Sequence, residues 1–499
     1  MDDIPGVTPK DEYNQKLLAN VHPQDWENPE PEDNYNLVVI GAGTAGLVSA
    51  SGAAGLGAKV ALVESRFMGG DCLNYGCVPS KSIIAASRKN KVAREQGLKD
   101  NSGVFQEAMR NMRENRARIS KDDSAENIQD KGVDVFLGKA SFNSRDTIEV
   151  DGQELNFSKA VIATGASPRK LDLPGLEEDD YYTNETIFNL TEKPNKMAII
   201  GGGPIGCELA QAFQNLGADV TILQRGKQIL KKEDPDAAEI VYEKLIEDGV
   251  DIELNTDLQR MNKESGNKTL IYKKDGQQKE CSANTILVGI GRVPNTEGLN
   301  LEAADVEYDR RGITVDDKLQ TSNNNIYAAG DCCMKYKFTH AADAAARIVI
   351  SNALFLGRQK LSDLNIPWCT YTTPEIAHVG LYPSQAEEKG IDIDTYQESF
   401  ENVDRAITDG EEEGMIKIHT KEDSDKILGA TIVASKAGDM ISEITTALQA
   451  DIGLGTIANV IHPYPTQAEA IKHLADEYNR SRLTPFVSKL LKWLLKFTG

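Results

Sequence analysis

Two cysteines, Cys72 and Cys77, lie five residues apart in the segment GGDCLNYGCVPSK at positions 69–81. Because one distorted helical turn spans this separation, the two sulfurs can come within bonding distance. The small and apolar residues at 82–86 indicate a helix, and a helix that begins beside a thiol lowers its pKa. The segment therefore predicts a redox-active cysteine pair. The alternatives are two buried structural cysteines or a metal-binding site. A metal site would need further cysteine or histidine ligands, and none lies nearby in the sequence.

The residues ahead of this pair form a dinucleotide-binding motif. A predicted buried strand at 37–40 leads into the turn GAGTAG at 41–46, a small-residue helix, and a second strand at 60–63 that ends in Glu64. The glycines let the backbone approach a pyrophosphate at the helix N-terminus, and Glu64 suits the two hydroxyls of a ribose. Strand, turn, helix and acid together predict a Rossmann-type site.

The same pattern recurs in the middle of the chain. A predicted strand at 197–200 leads into GGGPIG at 201–206, and the following strand ends in the residues QRGK at 224–227. Two motifs imply two dinucleotides. The second strand lacks an acid at the ribose position, and Arg225 and Lys227 would suit a 2′-phosphate, which favours NADPH over NADH. The alternative is that both cations only face solvent.

Composition excludes several classes of protein. The 499 residues carry a formal net charge of −22, which argues against binding to nucleic acid. The seven cysteines are scattered rather than arranged as a secreted disulfide framework, and we find no signal peptide or apolar run of membrane-spanning length. We therefore expect a cytoplasmic protein. Residues 1 to about 34 are acidic and lack periodicity, which predicts an extended or disordered arm; packing across a neighbouring subunit is the alternative.

In this order the motifs resemble those of the FAD-dependent pyridine nucleotide–disulfide oxidoreductases, over roughly residues 35–480. The resemblance implies an α/β fold with two Rossmann-like nucleotide-binding domains, for FAD and NAD(P), and an α+β dimerisation domain. The expected divisions are an acidic N-terminal arm (1–34), an FAD-binding domain (35–190 and 312–366), an NADPH-binding domain (191–311), a dimerisation domain (367–484) and a basic amphipathic helix (485–499).

The resemblance also implies site residues. FAD would be bound by Gly41, Gly43, Gly46, Glu64, Gly70, Thr164, Gly165 and Asp331. NADPH would be bound by Gly201, Gly203, Gly206, Arg225, Lys227 and Gly291. Hydride would pass from NADPH through FAD to a Cys72–Cys77 disulfide, with Cys77 nearer the flavin, Cys72 facing substrate, and Lys81 paired with Glu208. A homodimer would complete each active site, and no structural metal is expected.

A departure from the family pattern occurs near the C-terminus, where HPYPTQAE occupies positions 462–469. Dithiol-handling members carry His-Pro-Thr-x-x-Glu here, and alignment on Pro465, Thr466 and Glu469 puts Tyr464 in the place of the histidine. A phenol with a pKa near ~10 is a poor base at neutral pH, so a lipoamide-dehydrogenase-like activity is disfavoured. Mercuric-reductase-like members carry tyrosine there and are the closest resemblance. His340 is a substitute acid–base candidate, with helix capping or packing as the alternative.

These residues predict an oxidoreductase whose acceptor is a thiol-bound metal ion such as Hg(II), or a small disulfide or oxidant. We see neither the N-terminal Cys-x-x-Cys domain nor the C-terminal cysteine pair of mercuric reductases, which leaves the acceptor open. The alternatives are a lipoamide-dehydrogenase-like dithiol/disulfide oxidoreductase and a catalytically vestigial flavoprotein partner. The basic amphipathic helix at 485–499 is expected to dock onto the protein's own dimer, with weak contact to a membrane surface as the alternative.

Overall fold

Strands and helices alternate through most of the computed structural model, which describes residues 6–97, 103–264 and 267–498. The helices are α1 (Glu12–Val21), α2 (Thr44–Gly55), α3 (Gly70–Asn74), α4 (Cys77–Glu95), α5 (Val104–Ile119), α6 (Ala125–Asp130), α7 (Pro204–Asn215), α8 (Pro235–Glu247), α9 (Thr339–Leu354), α10 (Pro383–Glu388), α11 (Asp404–Asp409), α12 (Ala437–Gln449), α13 (Leu454–Ile457), α14 (Glu469–Ser481) and α15 (Pro485–Thr498).

The strands are β1 (Tyr35–Ile40), β2 (Val60–Glu64), β3 (Val133–Leu137), β4 (Ala140–Phe142), β5 (Thr147–Val150), β6 (Gln153–Ile162), β7 (Ala166–Pro168), β8 (Lys196–Ile200), β9 (Asp219–Leu223), β10 (Asp251–Glu253), β11 (Asp257–Glu264), β12 (Asn267–Lys274), β13 (Gln277–Ala283), β14 (Thr285–Val288), β15 (Arg292–Pro294), β16 (Tyr308–Asp309), β17 (Gly312–Ile313), β18 (Ile326–Ala328), β19 (Trp368–Thr370), β20 (Glu375–Gly380), β21 (Ile393–Ser399), β22 (Met415–Lys421) and β23 (Ile427–Ala434). Short 3₁₀ helices lie at Glu178–Asp180, Ile187–Asn189, Leu301–Ala304, Leu361–Asp363 and Phe400–Asn402.

The first parallel sheet brings the first glycine turn to one edge. Its strands run in the order β3-β2-β1-β6, with β18 also paired to β6. In register, Ile40 lies beside both Val63 and Ile162, so β1, β2 and β6 end together. Because the carboxyl ends of parallel strands share an edge, the turn after β1, the Glu64 carboxylate and the loop after β6 converge there. This edge is where a doubly wound sheet binds a dinucleotide.

A second parallel sheet repeats the arrangement. Its order is β10-β9-β8-β14, and Ile200 lies beside Leu223 and Val288. The turn that begins at Gly201 therefore shares an edge with Gln224 and the loop after β14. The predicted α/β fold with two Rossmann-like halves is confirmed.

The third region is built on an antiparallel sheet with the order β19-β20-β23-β22-β21. The long helices α12 and α14 contribute Ile441, Ile444, Ile471 and Leu474 to its buried core. The sheet and these helices form the predicted α+β domain, which also contains the short helices α10, α11 and α13. Short helices of four to six residues carry too little periodicity to be recognised in sequence.

The chain groups into two compact units, residues 1–227 with 249–364 and residues 228–248 with 365–499. The segment 228–248, which the sequence assigned to the NADPH-binding domain, groups with the second unit. Within that unit the buried Glu233 carboxylate accepts hydrogen bonds from Trp368 Nε1, at 2.8 Å, and from the Tyr382 hydroxyl. The domain boundaries drawn from the sequence otherwise stay predictions.

The N-terminal segment differs from the expected extended or disordered arm. Residues 12–21 form α1, whose Leu17 and Val21 are buried. Asp11 caps the helix and its carboxylate lies 2.6 Å from Arg113 Nε. The fully buried Arg116 guanidinium donates to Asn14 Oδ1 at 2.8 Å. The prediction was wrong for this stretch because a helix of only ten residues is marginal in isolation and gains its stability from tertiary packing. Residues 1–5 lie outside the described part of the chain.

Candidate active site

The cysteine pair lies across a break between two helices. Cys72 is in the short helix α3, and Cys77 is the first residue of α4, after the cap residue Gly76. Both cysteines are free thiols, so the structure describes the dithiol form of the pair. Asn74 fixes α3 by donating from Nδ2 to the carbonyl of Met68 at 3.0 Å. The helix indicated by residues 82–86 is present as α4, and a separate short helix, α3, carries Cys72.

The surroundings of Cys77 favour its thiolate. A hydrogen bond from Cys72 lowers the pKa of Cys77 to about 6, and Thr339, whose Oγ1 lies 3.4 Å from Cys77 Sγ, acts in the same direction. The positive charge of Lys81 adds to the effect, while desolvation opposes it. The same hydrogen bond, together with burial, raises the pKa of Cys72. One thiolate and one thiol therefore coexist near neutral pH.

Lys81 and Glu208 contact each other, as the family resemblance implied. Lys81 Nζ lies 2.8 Å from Glu208 Oε2, with the lysine side chain 37% exposed and the glutamate 7%. Lys81 lies one helical turn beyond Cys77 on α4, and Glu208 lies on α7, which follows the second glycine turn. The pair joins the cysteine helix to the helix of the second dinucleotide motif.

An ionic cluster beside the cysteines was not singled out from the sequence. Arg292 Nη1 lies 3.2 Å from Asp71 Oδ2, and its Nε lies 3.5 Å from Asp331 Oδ2. Asn184 donates to the other Asp71 oxygen at 3.0 Å. Burial raises the pKa of Asp71 and Asp331, and the Arg292 charge opposes the shift in both. Asp331, predicted to bind FAD, is thus tied to the residue directly before Cys72.

The first glycine turn fits a dinucleotide. Gly41 has a φ of +102°, and a Cβ at Gly46 would lie 1.7 Å from the Gly41 carbonyl oxygen, so neither position admits a side chain. Glu64 is buried, and its carboxylate accepts the backbone N–H of Ala42 at 2.6 Å and of Arg66 at 2.7 Å. Burial raises the pKa of Glu64, which these N–H groups oppose. The Glu64 carboxylate therefore lies beside the turn, where the ribose of a bound dinucleotide would contact it.

Two loops complete this edge. Gly70 approaches the turn so closely that a Cβ on it would lie 2.5 Å from Gly43 Cα. Thr164 donates from Oγ1 to the Asn295 carbonyl at 2.7 Å, and Asn295 returns a bond to the Thr164 carbonyl at 2.8 Å. No heavy atom lies within 4 Å of a Cβ built on Gly165, so space is open beside this loop. These residues fit the FAD that the resemblance implies.

The second glycine turn repeats the geometry. A Cβ at Gly206 would lie 2.0 Å from the Gly201 carbonyl oxygen, whereas Cβ atoms built on Gly203 or Gly291 would meet no heavy atom within 4 Å. The tight glycine pair shapes the turn, and the open positions leave room for a pyrophosphate. Gln224 Oε1, in the ribose position, accepts the Gly202 N–H at 3.0 Å.

Arg225 and Lys227 follow that strand and are both exposed. The structure therefore places two accessible cations at the end of β9, as a 2′-phosphate would require. Their role stays a prediction.

The acid–base candidates belong to two different units. In the second unit Tyr464 is 69% exposed, and its hydroxyl donates to Asp404 Oδ2 at 2.9 Å, which raises the pKa of Tyr464. Glu469 begins α14, while His462 Nε2 lies 2.9 Å from Glu443 Oε1. In the first unit His340 is exposed and stacks on Phe338, with ring centroids 5.4 Å apart.

Thr339, a residue of α9 that contacts Cys77, was not predicted as a site residue, whereas its neighbour His340 was. A threonine before an alanine-rich helix resembles an ordinary cap, so its type gave no signal. Asp71 did carry a signal because it lies inside the cysteine segment at 69–81, and Arg292 directly follows the predicted site residue Gly291.

The chain matches two family profiles. The profile described as pyridine nucleotide-disulphide oxidoreductase matches residues 35–346, and that of the corresponding dimerisation domain matches residues 366–475. The sequence is 36% identical to mercuric reductase of Staphylococcus aureus over 492 residues, which are 95% of this chain and 89% of that protein. It is 34% identical to dihydrolipoyl dehydrogenase of Chlamydia muridarum over 447 residues, 87% of this chain and 95% of that protein.

A solved structure is also similar. The HOCl-induced flavoprotein disulfide reductase RclA from Escherichia coli superposes with a TM-score of 0.80 at 28% identity, covering 89% of this chain and 99% of that one. Fold and sequence comparisons therefore point to the same group of flavoproteins.

Proposed function

Because this chain belongs to the pyridine nucleotide–disulphide oxidoreductases, we propose that it transfers electrons from NADPH through FAD and the Cys72–Cys77 pair to thiol-bound Hg(II). The membership itself establishes an NAD(P)H-dependent FAD oxidoreductase related to mercuric reductase, and the dimerisation-domain match supports a homodimer. The identity of the nucleotide, the metal acceptor and a cytoplasmic location are part of the proposal.

FAD, when bound, supplies hydride acceptance from the nicotinamide and two-electron delivery to a disulfide. The chain's own residues would hold it at the first glycine turn, with Glu64 on the ribose and Asp331 beside the cysteine helix. Gly201, Gly203 and Gly206 would receive the nicotinamide dinucleotide, and Arg225 and Lys227 its 2′-phosphate. Lys81, anchored by Glu208, would keep a positive charge near the cysteines.

The observation that carries the proposal is the unequal pair of sulfurs. Two electrons and one proton would convert a Cys72–Cys77 disulfide into a thiolate–thiol pair. Cys77 retains negative charge because Cys72, Thr339 and Lys81 stabilise it, whereas Cys72 stays a thiol. A thiolate–thiol pair is a soft donor set that suits Hg(II).

The overall reaction balances without a further reagent. One NADPH, one proton and one Hg(II) bis-thiolate give NADP⁺, Hg(0) and two thiols. The metal accepts the two electrons, and the two thiolate sulfurs accept the hydride-derived hydrogen and the proton. Tyr464 and its partner Asp404 would assist the metal from the dimerisation domain rather than move a proton, because hydrogen bonding raises the phenol pKa further from neutrality.

The test is anaerobic NADPH oxidation by the FAD-loaded protein with Hg(II) in excess thiol, while mercury vapour is trapped. We expect sustained vapour release with one NADPH consumed per mercury atom. Cys72→Ser and Cys77→Ser should each abolish it. Cys281→Ser, which alters a half-buried cysteine on β13, is the matched control and should keep full activity.

Bleaching of the flavin by NADPH without vapour would reject mercury reduction while leaving the disulfide chemistry intact. No bleaching at all would support the vestigial flavoprotein instead. Tyr464→Phe should slow vapour release but leave the rate of flavin reduction unchanged.

A dihydrolipoamide-type dithiol is the second candidate, and the 2.9 Å contact between His462 Nε2 and Glu443 Oε1 favours it. A histidine held by a glutamate is the usual acid–base pair for a dithiol. NAD⁺ reduction by dihydrolipoamide, lost in His462→Gln but kept in Tyr464→Phe, would select this activity over metal reduction.

A further inference from the structure

The last helix of the chain, α15, exposes an unusual amount of apolar surface. The structure buries none of its residues. Phe486, Leu495 and Phe497 are 76%, 68% and 71% exposed, and Trp493 is 54% exposed. Apolar side chains of this size rarely cluster on the surface of a soluble protein unless something covers them.

These side chains occupy a continuous arc. At about 100° per residue, the apolar side chains cover about 200° of the helix circumference, with the terminal Thr498 as the only polar residue within the arc. Around the arc they follow in the order Trp493, Phe486, Phe497, Leu490, Leu494, Val487, Leu491 and Leu495. Lys489, Lys492 and Lys496 fall together on the opposite side, with Ser488 beside them. An apolar arc this wide and a narrow cationic stripe are typical of helices that lie in a membrane interface.

The charge of this segment is opposite to that of the chain. Residues 483–499 carry three lysines and no acidic residue, in a chain with a formal net charge of −22. Cations concentrated on one short amphipathic helix indicate a partner that is both apolar and anionic. A bilayer containing anionic lipid presents both features within a few ångströms of depth.

We propose that α15 binds the surface of an anionic lipid bilayer and lies parallel to it, so that the oxidoreductase is peripherally attached to a membrane. Trp493, Phe486 and Phe497 would enter the boundary between headgroups and acyl chains, and the lysines would contact lipid phosphates. Fourteen residues give a helix of about 21 Å, shorter than a bilayer's hydrocarbon core of about 30 Å. Among the described residues, no helix is long and apolar enough to cross a membrane.

The competing interpretation is that α15 packs against the protein's own dimer, as we expected from the sequence. Two observations count against it. The dimerisation-domain profile ends at residue 475, before α15 begins. In addition, a flat protein surface would cover only part of the 200° apolar arc of α15. A lipid bilayer would surround the whole arc, because acyl chains contact every part of the helix that lies below the interface.

The test uses the FAD-loaded full-length protein and sedimentation with phosphatidylcholine vesicles that contain or lack phosphatidylglycerol. We expect co-sedimentation with the anionic vesicles and little with the neutral ones. Lys489→Glu, Lys492→Glu and Lys496→Glu together should weaken binding on the order of a hundredfold, because each lysine near such a surface contributes to attraction. Added salt should weaken binding of the wild type.

Two further variants distinguish the contribution of the lysine charges to membrane binding from the contribution of apolar burial. Leu494→Glu, at the centre of the apolar arc, should abolish sedimentation. A control triple, Lys16→Glu, Lys131→Glu and Lys389→Glu, changes three exposed lysines elsewhere and lowers the net charge equally. It should bind like the wild type. All these variants should keep NADPH-driven flavin reduction, which shows that they fold.

Trp493 gives an independent signal. Its fluorescence should shift to shorter wavelength when anionic vesicles are added, and Trp493→Phe should lose that shift while still sedimenting. Wild-type protein that stays in the supernatant with anionic vesicles would overturn the proposal. So would a control triple that binds as poorly as the helix triple. If Leu494→Glu instead turns a dimer into a monomer in vesicle-free solution, the helix contacts a second copy.

Discussion

Lys81 Nζ lies 2.8 Å from Glu208 Oε2, and this contact joins the helix that begins with Cys77 to the helix that follows the second glycine turn. The two residues are 127 positions apart in the chain. A positive charge is thereby held one turn from the reactive thiol by an acid belonging to the other nucleotide motif. The arrangement couples the position of Lys81 to the docking of that motif.

We expect a measurable coupling between these two side chains. In a double-mutant cycle with Lys81→Met and Glu208→Gln, the interaction energy should be about 1–2 kcal/mol, less than for a fully buried pair because Lys81 is partly exposed. The measurement is chemical unfolding of the four proteins. Strictly additive effects would show that the contact adds nothing to stability.

The Cys77 thiol should ionise near pH 6. Because its pKa is lowered, the thiolate is present above about pH 6 and is lost as the pH falls through that value. The rate of alkylation of the reduced protein should follow the same curve. In Cys72→Ala the midpoint should move to higher pH, because the hydrogen bond from Cys72 is the largest cause of the lowering. A midpoint unchanged from that of an ordinary thiol in the wild type would contradict the assignment.

Thr339 should also lower the pKa of the Cys77 thiol. Thr339→Val keeps the shape of the side chain but removes the hydroxyl 3.4 Å from Cys77 Sγ, so the thiolate midpoint should rise by about one pH unit. The matched control is Thr446→Val on α12, whose hydroxyl bonds only its own helix. Ultraviolet absorbance of the thiolate, recorded as a function of pH, gives the midpoint of ionisation in both variants. Equal midpoints in the two variants would remove Thr339 from the site.

Arg225 should determine the choice of nucleotide. Arg225→Asp places an acid where a 2′-phosphate would lie, so kcat/KM for NADPH should fall about tenfold or more, by at least ~1.4 kcal/mol, while the value for NADH holds or rises. Flavin reduction under steady-state conditions with each nucleotide measures this. Lys232→Asp, which changes an exposed lysine seven positions further along the chain, serves as the control for charge alone. Parallel losses with both nucleotides would indicate that Arg225 does not contact the phosphate.

The N-terminal helix should stabilise the cysteine segment. Arg116 donates to Asn14 Oδ1 at 2.8 Å and to the Asn74 carbonyl at 2.9 Å, and Asn74 ends the helix that carries Cys72. Asn14→Leu leaves part of a buried guanidinium without an acceptor and should cost about 2–3 kcal/mol of unfolding free energy. Gln15→Leu, at an exposed position of the same helix, should cost much less. Similar losses in both variants would show that the effect does not depend on the contact with Arg116.

The sequence was sufficient to predict the two glycine turns, the cysteine pair and the three-part α/β architecture. These features are local: a positive φ at Gly41, the absence of room for a Cβ at Gly46, and an acid at the end of the next strand are properties of about twenty-five consecutive residues. The family resemblance added the pairing of Lys81 with Glu208, which the 2.8 Å contact bears out in geometry.

Other features depended on tertiary structure. Thr339 reaches Cys77 across 262 residues, and Arg292 bridges Asp71 and Asp331 across 221 and 39 positions. The helical structure of residues 12–21 likewise depends on the contact with Arg116, about a hundred positions away. Such contacts form only when separately folded elements dock, and side-chain types that are common at helix caps, turns and surfaces give no indication of the partner they will meet. The sequence by itself thus determined which chemistry the chain carries, and the packing of distant elements decided which neighbours adjust it.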